Sequence, residues 1–226
     1  MQQRSKKYQK WQKDFITNNC HSLEEILAII TKNKLENFNA TIDLVFHLNL
    51  NPKKPDHLLK GFFTLPHPQI KSWKMCVFTN LFLDQAKKHN PAFVGGKELV
   101  EEIAKNKKID FDLVLASPEV MSSLGKIAKM LGTQKLMPNN KFGTLNKDLE
   151  TMIIAWKKGR STYQLDTTGN LHLTIGKIDY SQEKLIANFN FCLSKVLKLK
   201  PSGVKGKYIK SIHISSTMGH SFQIKL

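Results

Sequence analysis

Apolar and polar residues alternate along 41–50, with Ile42, Leu44, Phe46 and Leu48 on one side and Asp43, His47 and Asn49 on the other. A period of two predicts a strand buried on one face. Asn51, Pro52, Lys53, Lys54 and Pro55 break the pattern and predict a loop. Upstream the period is helical. Leu23, Ile26, Leu27 and Ile30 recur at i, i+3, i+4 and i+7, and Ser22 with Glu25 has capping-box spacing at the helix start. From about Pro66 the elements become short and alternate in type: strands at 74–79, 92–94 and 111–116, and helices at 83–89, 97–106, 118–131 and 146–158. Such alternation predicts a parallel sheet with helices on its faces. After Gly159 the elements lengthen. Residues 161–165 and 170–176 flank a turn at 166–169 and predict a hairpin. A helix follows at 181–199, with Leu185, Phe189, Cys192, Val196 and Leu197 inward, and then a final strand at 208–216 with Tyr208, Lys210, Ile212 and Ile214 alternating.

This pattern predicts an α/β protein of two domains. Residues 1–66 plus 160–226 form a discontinuous, split α/β domain, and 67–159 form an inserted Rossmann-like α/β domain. Charge follows the same division. The inserted segment holds 15 basic and 9 acidic residues, net +6, and the flanks hold 20 and 9, net +11. The flanks are therefore the better candidate for contact with an anionic partner.

Composition narrows the function. The chain has 226 residues, 35 Lys plus Arg against 18 Asp plus Glu, and a formal charge of +17. With 41% hydrophobic and 9% aromatic residues, wholesale disorder is excluded. No apolar run approaches the ~20 residues of a membrane helix, and the Lys- and Gln-rich first 13 residues do not read as a secretory signal. The expected partner is nucleic acid first and an anionic membrane surface second. Only Arg4 and Arg160 are arginines, a bias that suggests an AT-rich genome such as an organelle's. Phosphate contacts would then be made by Lys point charges, not by bidentate Arg forks.

Catalytic constellations are missing from the sequence. There is no GxGxxG, no GxxxxGK[ST] and no GxSxG. The eight histidines do not pair at HxH or HxxxH spacing, and the odd, scattered Cys20, Cys76 and Cys192 fit neither a disulfide framework nor a CxxC site. No enzyme, metal, cofactor or small-molecule substrate is expected. Two basic runs stand out instead. Residues 1–13 carry Arg4, Lys6, Lys7, Lys10 and Lys13, and residues 195–210 carry Lys195, Lys198, Lys200, Lys205, Lys207 and Lys210, neither with an acid. Lysines near a helix C-terminus complement its dipole, but six without compensation exceed that need and point to phosphate.

Several strings resemble a known family. Leu136-Met137-Pro138-Asn139 followed by Lys141, Gly143 and Thr144, the stretches 111–118 and 172–177, Gly61 with Leu65-Pro66-His67, 201–207, and Ser215-Ser216-Thr217-Met218-Gly219 are similar, in register from about 22 to 219, to the large-subunit ribosomal protein family of the mobile stalk. The chain departs from that family at Gly132-Thr133-Gln134-Lys135, where Gly-Pro-Arg-Gly is usual, at Asn140 where Pro is usual, and at Asn37 where a base is usual. The resemblance implies a split domain that binds large-subunit rRNA and an inserted Rossmann-like domain. It also implies a role in exit of deacylated tRNA, weaker contacts with other ribosomal components, and, in bacterial members, repression of their own mRNA.

The RNA site would join the strand start at 38–43 to the strand end at 215–219. Ser216, Thr217 and the backbone of Gly219 would bond riboses and phosphates, with Thr41 beside them. Met218 and Phe38 would offer apolar contact, unless Phe38 is a staple into the core and 217–219 an ordinary strand exit. Asp43 would accept from a base amino group or a ribose hydroxyl. His172 would stack or cap the hairpin, and Lys53, Lys54, Lys177, Lys205, Lys207 and Lys210 would meet phosphates. The Lys bias, the loosened signature and a first family helix near residue 22 that leaves no room for a long presequence suggest a mitochondrial ribosome, with a plastid or an AT-rich bacterium's cytoplasm as alternatives.

Overall fold

The computed structural model describes residues 20–32, 38–80, 86, 88–106, 109–201 and 203–225. The basic run at 1–13, Asn37 and most of the expected 83–89 helix lie outside the described residues.

Ser22 and Glu25 form the capping box: Ser22 N–H donates to Glu25 Oε2 at 3.1 Å, and Glu25 N–H to Ser22 Oγ at 3.3 Å. The helix they open, Leu23–Lys32 (α1), buries Ile26, Leu27 and Ile30. A five-stranded sheet runs in the order β1-β10-β9-β2-β8, with β1 Cys20–His21, β2 Thr41–Leu48, β8 Asn170–Lys177, β9 Ile209–Ser216 and β10 Phe222–Ile224. All neighbours are antiparallel except β1 with β10. Burial alternates strictly along β2, and its inward set aligns with that of its neighbours: Leu44 faces Leu173 and Ile214, and Phe46 faces Leu171 and Ile212. The long helix Gln182–Lys198 (α6) packs on β8 and on α1, covering that inner face. Fully buried Asn188 ties the layers together. Its Nδ2 donates to Ile175 O at 2.7 Å and to His67 O at 2.8 Å, and its Oδ1 accepts from His67 N–H at 3.0 Å.

The second sheet is parallel, in the order β5-β4-β6: Phe93–Gly95 (β5), Met75–Phe78 (β4) and Leu113–Ala116 (β6), extended by a parallel bridge from Ala116 to Leu145. Every residue of β4 and β6 is buried. Cys76, Phe78, Val114 and Ala116 pack on one side with Val100 and Ile103 of helix Lys97–Asn106 (α2). Met75, Val77, Leu113 and Leu115 pack on the other with Met152, Ile153 and Trp156 of helix Leu149–Lys157 (α5). This is the continuous apolar strand of a sheet covered on both faces. Lys60–Thr64 (β3) pairs with Arg160–Gln164 (β7) in a two-stranded ribbon. The described residues therefore form a mixed α/β structure with two compact units. One comprises those of Met1–Leu59, Leu65–Gln69 and Tyr163–Leu226, and the other those of Lys60–Thr64 and Ile70–Thr162.

Several elements differ from the sequence pattern. The helix expected over 118–131 is four short pieces: a 3-10 turn at Pro118–Val120, α-helix at Met121–Leu124 (α3), a 3-10 turn at Gly125–Ile127 and α-helix at Ala128–Thr133 (α4). Gly125, a poor helix former, begins the tightened turn, yet Val120, Leu124, Ile127 and Leu131 remain one buried stripe. The expected hairpin is almost absent. β7 pairs with β3 and β8 with β2, leaving a single bridge between Leu165 and Leu171. Leu197 was expected inward and is 52% exposed, because the α6 stripe passes through Val196 and the next residue turns about 100° away. In β9 the register slips opposite β2. Leu48 faces Ile209 and His47 faces Ser211, so Lys210 is the extra residue of a bulge and stands exposed instead of joining the Ile212–Ile214 face. Strands β1 and β10 had no signal strong enough to predict them.

Candidate nucleic-acid interface

Among the described residues, the second face of the five-stranded sheet is polar and partly exposed. Its outward residues, half-buried except for the exposed His172, run in rows: Thr174, Asp43 and Ser215; His172, Val45, His213 and Gln223; Asn170, His47 and Ser211. None of these positions carries a large aromatic ring, so the face offers hydroxyls, amides and imidazoles.

One end of this sheet brings together the start of β2 and the turn after β9. Thr217 N–H donates to Thr41 O at 3.1 Å, Thr41 N–H donates to Thr217 Oγ1 at 3.1 Å, and the two hydroxyls lie 2.9 Å apart. This pairing fixes the turn against the strand and leaves Met218 64% exposed and Phe38 57% exposed at the same end. Phe38 is therefore not stapled into the core. Lys177 sits opposite Thr41 on the other neighbour, β8. The turn is tight at Gly219: a Cβ there would lie 2.2 Å from Ser216 Oγ and make that hydroxyl move, and the Gly219 N–H donates to Ser216 O at 3.1 Å. Ser216 differs from its expected role. Its side chain is only 8% exposed, because strand parity turns it to the packed face opposite Ile42, so it shapes the turn and does not present a hydroxyl. Asp43 lies on the open face and accepts from Thr174 Oγ1 at 2.8 Å, which gives that acid a neighbour within the sheet itself.

The remaining candidate lysines gather elsewhere. Lys53 and Lys54 are exposed in the turn after β2, and Lys205, Lys207 and the bulged Lys210 are exposed around the start of β9. These positions are at the opposite end of β2 from Thr41, a strand of eight residues and so about 23 Å long. His172 stands exposed between the two groups, beside Val45. The structure thus divides the expected residues into an apolar-and-hydroxyl end and a lysine end joined by the open face. None of the five lysines of the second group has an ion pair among the described residues. Lys74–Asp110 at 3.0 Å and Lys126–Glu101 at 3.1 Å are ion pairs of the inserted unit. His47, Asn170, Ser211, His213 and Ser215 were not foreseen as interface residues. Their odd-numbered or matching positions on the same alternating strands carry the signal.

The signature stretch Leu136–Thr144 lies in the other unit and is a tight loop. Thr144 Oγ1 accepts from Asn139 N–H at 2.8 Å and donates to Asn139 O at 3.1 Å, and Asn139 Oδ1 accepts from Lys141 N–H at 2.9 Å. Gly143 has φ +64, and a Cβ there would lie 2.7 Å from Arg160 Nη1 and 2.8 Å from Phe62 Cε1. Arg160 spans this point, its guanidinium 4.3 Å from the Phe62 ring centre and its Nη1 3.3 Å from Gly143 O. Burial lowers the guanidinium's pKa from its ordinary value. The departing Lys135 adopts φ +59.

Burial pushes the Cys76 and Cys192 thiols up to about 12, and no cluster of metal-ligating side chains occurs among the described residues. No described helix is long and apolar enough to cross a membrane.

Residues 29–220 match the ribosomal protein L1p/L10e family. Among curated relatives, the sequence is 36% identical over 208 residues to the large ribosomal subunit protein uL1 of Mycoplasma capricolum, covering 92% of each chain. It is 36% identical over 230 residues to that of Persephonella marina, covering 99% of this chain and 94% of the relative. It is 37% identical over 224 residues to that of Onion yellows phytoplasma, covering 98% and 96%.

Proposed function

The chain belongs to the ribosomal protein L1p/L10e family, and from that premise we propose that it is a structural constituent of the large ribosomal subunit, not an enzyme, whose open five-stranded sheet binds rRNA of the mobile stalk. The observation that carries this reading is the Thr41–Thr217 junction, which holds Met218 and Phe38 out of the core at one end of an otherwise polar face. An exposed apolar pair beside fixed hydroxyls suits the unstacked bases and riboses of an RNA loop. The exposed lysines at the far end supply the phosphate attraction that dominates affinity. The split unit, net +11 over its sequence flanks, carries the contact, and the inserted unit extends the protein's surface. Assistance to tRNA exit is the dynamic part of the same role, with other ribosomal components held weakly. Repression of its own mRNA would use the same surface, and no feature of the fold favours it. The relatives described above are bacterial, so the setting we adopt is a bacterial cytoplasmic ribosome, in preference to the organellar one that the lysine bias suggested.

The test is Met218→Ala, with melting and affinity for an rRNA stalk fragment measured on the same variant. An exposed side chain should leave stability within about 0.5 kcal/mol, while affinity falls by about 1 kcal/mol or more. A variant that melts early but binds normally when folded would assign Met218 to packing and remove the reading's main support.

A further inference from the structure

The turn between β7 and β8 begins a chain of hydrogen bonds in which every donor can be assigned. The Asp166 carboxylate accepts from the Thr168 hydroxyl at 2.9 Å, and from the Thr167 N–H at 2.7 Å and hydroxyl at 3.3 Å. These bonds, the Thr168 hydroxyl foremost, hold its pKa below the ordinary value, so it remains an acceptor only. With its proton on Asp166, Thr168 Oγ1 can only accept, and Asn170 Nδ2 donates to it at 3.0 Å. That bond orients the Asn170 amide and turns Oδ1 toward His47, whose Nδ1 lies 2.7 Å away. An amide oxygen cannot donate, so the His47 proton resides on Nδ1. In the neutral ring the lone pair then sits on Nε2, which has no hydrogen-bond partner among the described residues. Strand parity places this ring on the open face, opposite Ser211 of β9.

We propose that His47 Nε2 is a hydrogen-bond acceptor for RNA, taking a neutral donor, either a ribose 2′-hydroxyl or a base amino group, and that Asp166, Thr168 and Asn170 are positioning residues that hold it in the accepting tautomer. This rests on the RNA-binding reading above and adds what that reading lacks. Lys53, Lys54, Lys205, Lys207 and Lys210 carry only donors and read phosphate whatever the sugar or sequence. An acceptor beside them cannot bond a phosphate, which offers no proton. It can bond only the groups that distinguish RNA from DNA or one base from another.

The experiment uses the whole chain and a stalk rRNA fragment. Single 2′-deoxy substitutions, inosine for guanosine and purine for adenosine are scanned along the fragment against wild type and His47→Phe. One RNA position should lower wild-type affinity about five- to tenfold, the scale of one lost hydrogen bond, and should have no effect on His47→Phe. A deoxy position identifies the ribose as donor, and an inosine or purine position identifies the base. His47→Gln, which keeps an acceptor, should retain part of the discrimination. Nitrogen-15 shifts of the His47 ring give a readout independent of RNA. Wild type should carry the proton on Nδ1, and Asn170→Ala should shift it toward Nε2 with an affinity loss of about threefold, which a merely structural Asn170 would not produce. A wild-type proton on Nε2, or a folded His47→Phe that keeps every position's penalty, overturns the proposal while leaving the RNA reading intact. Failure of wild type to bind the fragment at all overturns both.

Discussion

Strands β2 and β6 lie in units of the same α/β class and have opposite burial. β2 buries every second residue, whereas β6 buries all of them. Among the described residues, one sheet has helices on a single face and the other on both. Among the described residues, the unit with the one-sided sheet also has lysines at one end without carboxylate partners, whereas Lys74 and Lys126 of the inserted unit are paired. Covering both faces satisfies a sheet internally. Covering one leaves a polar face that water or a partner can meet. The contrast separates a sheet closed by packing on both sides from one that keeps a polar face, the face proposed above for RNA.

The largest effect should come from testing whether the units unfold separately. With Cys20 replaced by Ser, Cys192 reports on one unit and Cys76 on the other, both buried. Their thiols are pushed up to about 12 by burial, so the reactive thiolate is scarce in the folded state at pH 8 and increases only on exposure. Alkylation should be slowed by about 10³-fold or more relative to the unfolded chain. Equal slowing at all urea concentrations would mean one cooperative unit, and different midpoints would mean two.

The burial contrast can then be examined residue by residue in urea unfolding. Leu115→Ala and Leu44→Ala should each lose about 2–5 kcal/mol. Val114→Ala should lose about 2 kcal/mol because β6 has no outward face, and Val45→Ala less than about 1 kcal/mol because β2 has one. Comparable losses at Val114 and Val45 would abolish the distinction. Arg160→Lys should destabilise the inserted unit by about 1–2 kcal/mol, since an ammonium cannot lie flat on Phe62 while bonding Gly143 O; an unchanged melting temperature would make that stacking incidental. Lys135→Gly should raise stability by about 1 kcal/mol by relieving its positive φ, an outcome a thermal melt can contradict directly. The smallest effect on folding concerns charge. Lys205→Gln with Lys207→Gln should change stability by less than about 0.5 kcal/mol yet lower the logarithmic salt slope of RNA binding by about 1.5 for two phosphate contacts. Lys74→Gln with Lys126→Gln should leave that slope unchanged.

Local features were legible in the sequence. The Ser22–Glu25 box, the Ile42-to-Leu48 alternation and the 97–106 helix each depend on neighbours a few residues away. Pairings over long distances were not. Nothing local in 161–165 says that its partner is 60–64 and not 170–176, and the displacement of Lys210 depends on the register chosen by β2. The candidate interface shows the same division. The junction of Thr41 with Thr217 was foreshadowed by motif ends. The separation of Lys53 and Lys205 from Met218 by the length of a strand, and the inward turn of Ser216, follow from sheet order and parity. The tautomer of His47 depends on Asn170, Thr168 and Asp166, which only the folded turn brings to it.

Strand order also sets a timetable for synthesis. β2 lies between β8 and β9, and Asn170 emerges 170 − 48 = 122 residues after Leu48. At about 5–20 residues per second, that interval lasts roughly 6–24 s. Throughout it Ile42, Leu44, Phe46 and Leu48 have no sheet neighbours, while β4, β5, β6 and α5 are all made and able to pack. Each nascent chain therefore trails a finished inserted unit behind a bare apolar strand, and its yield in a cell should depend on holding chaperones that shield such a strand until the last quarter of the chain arrives.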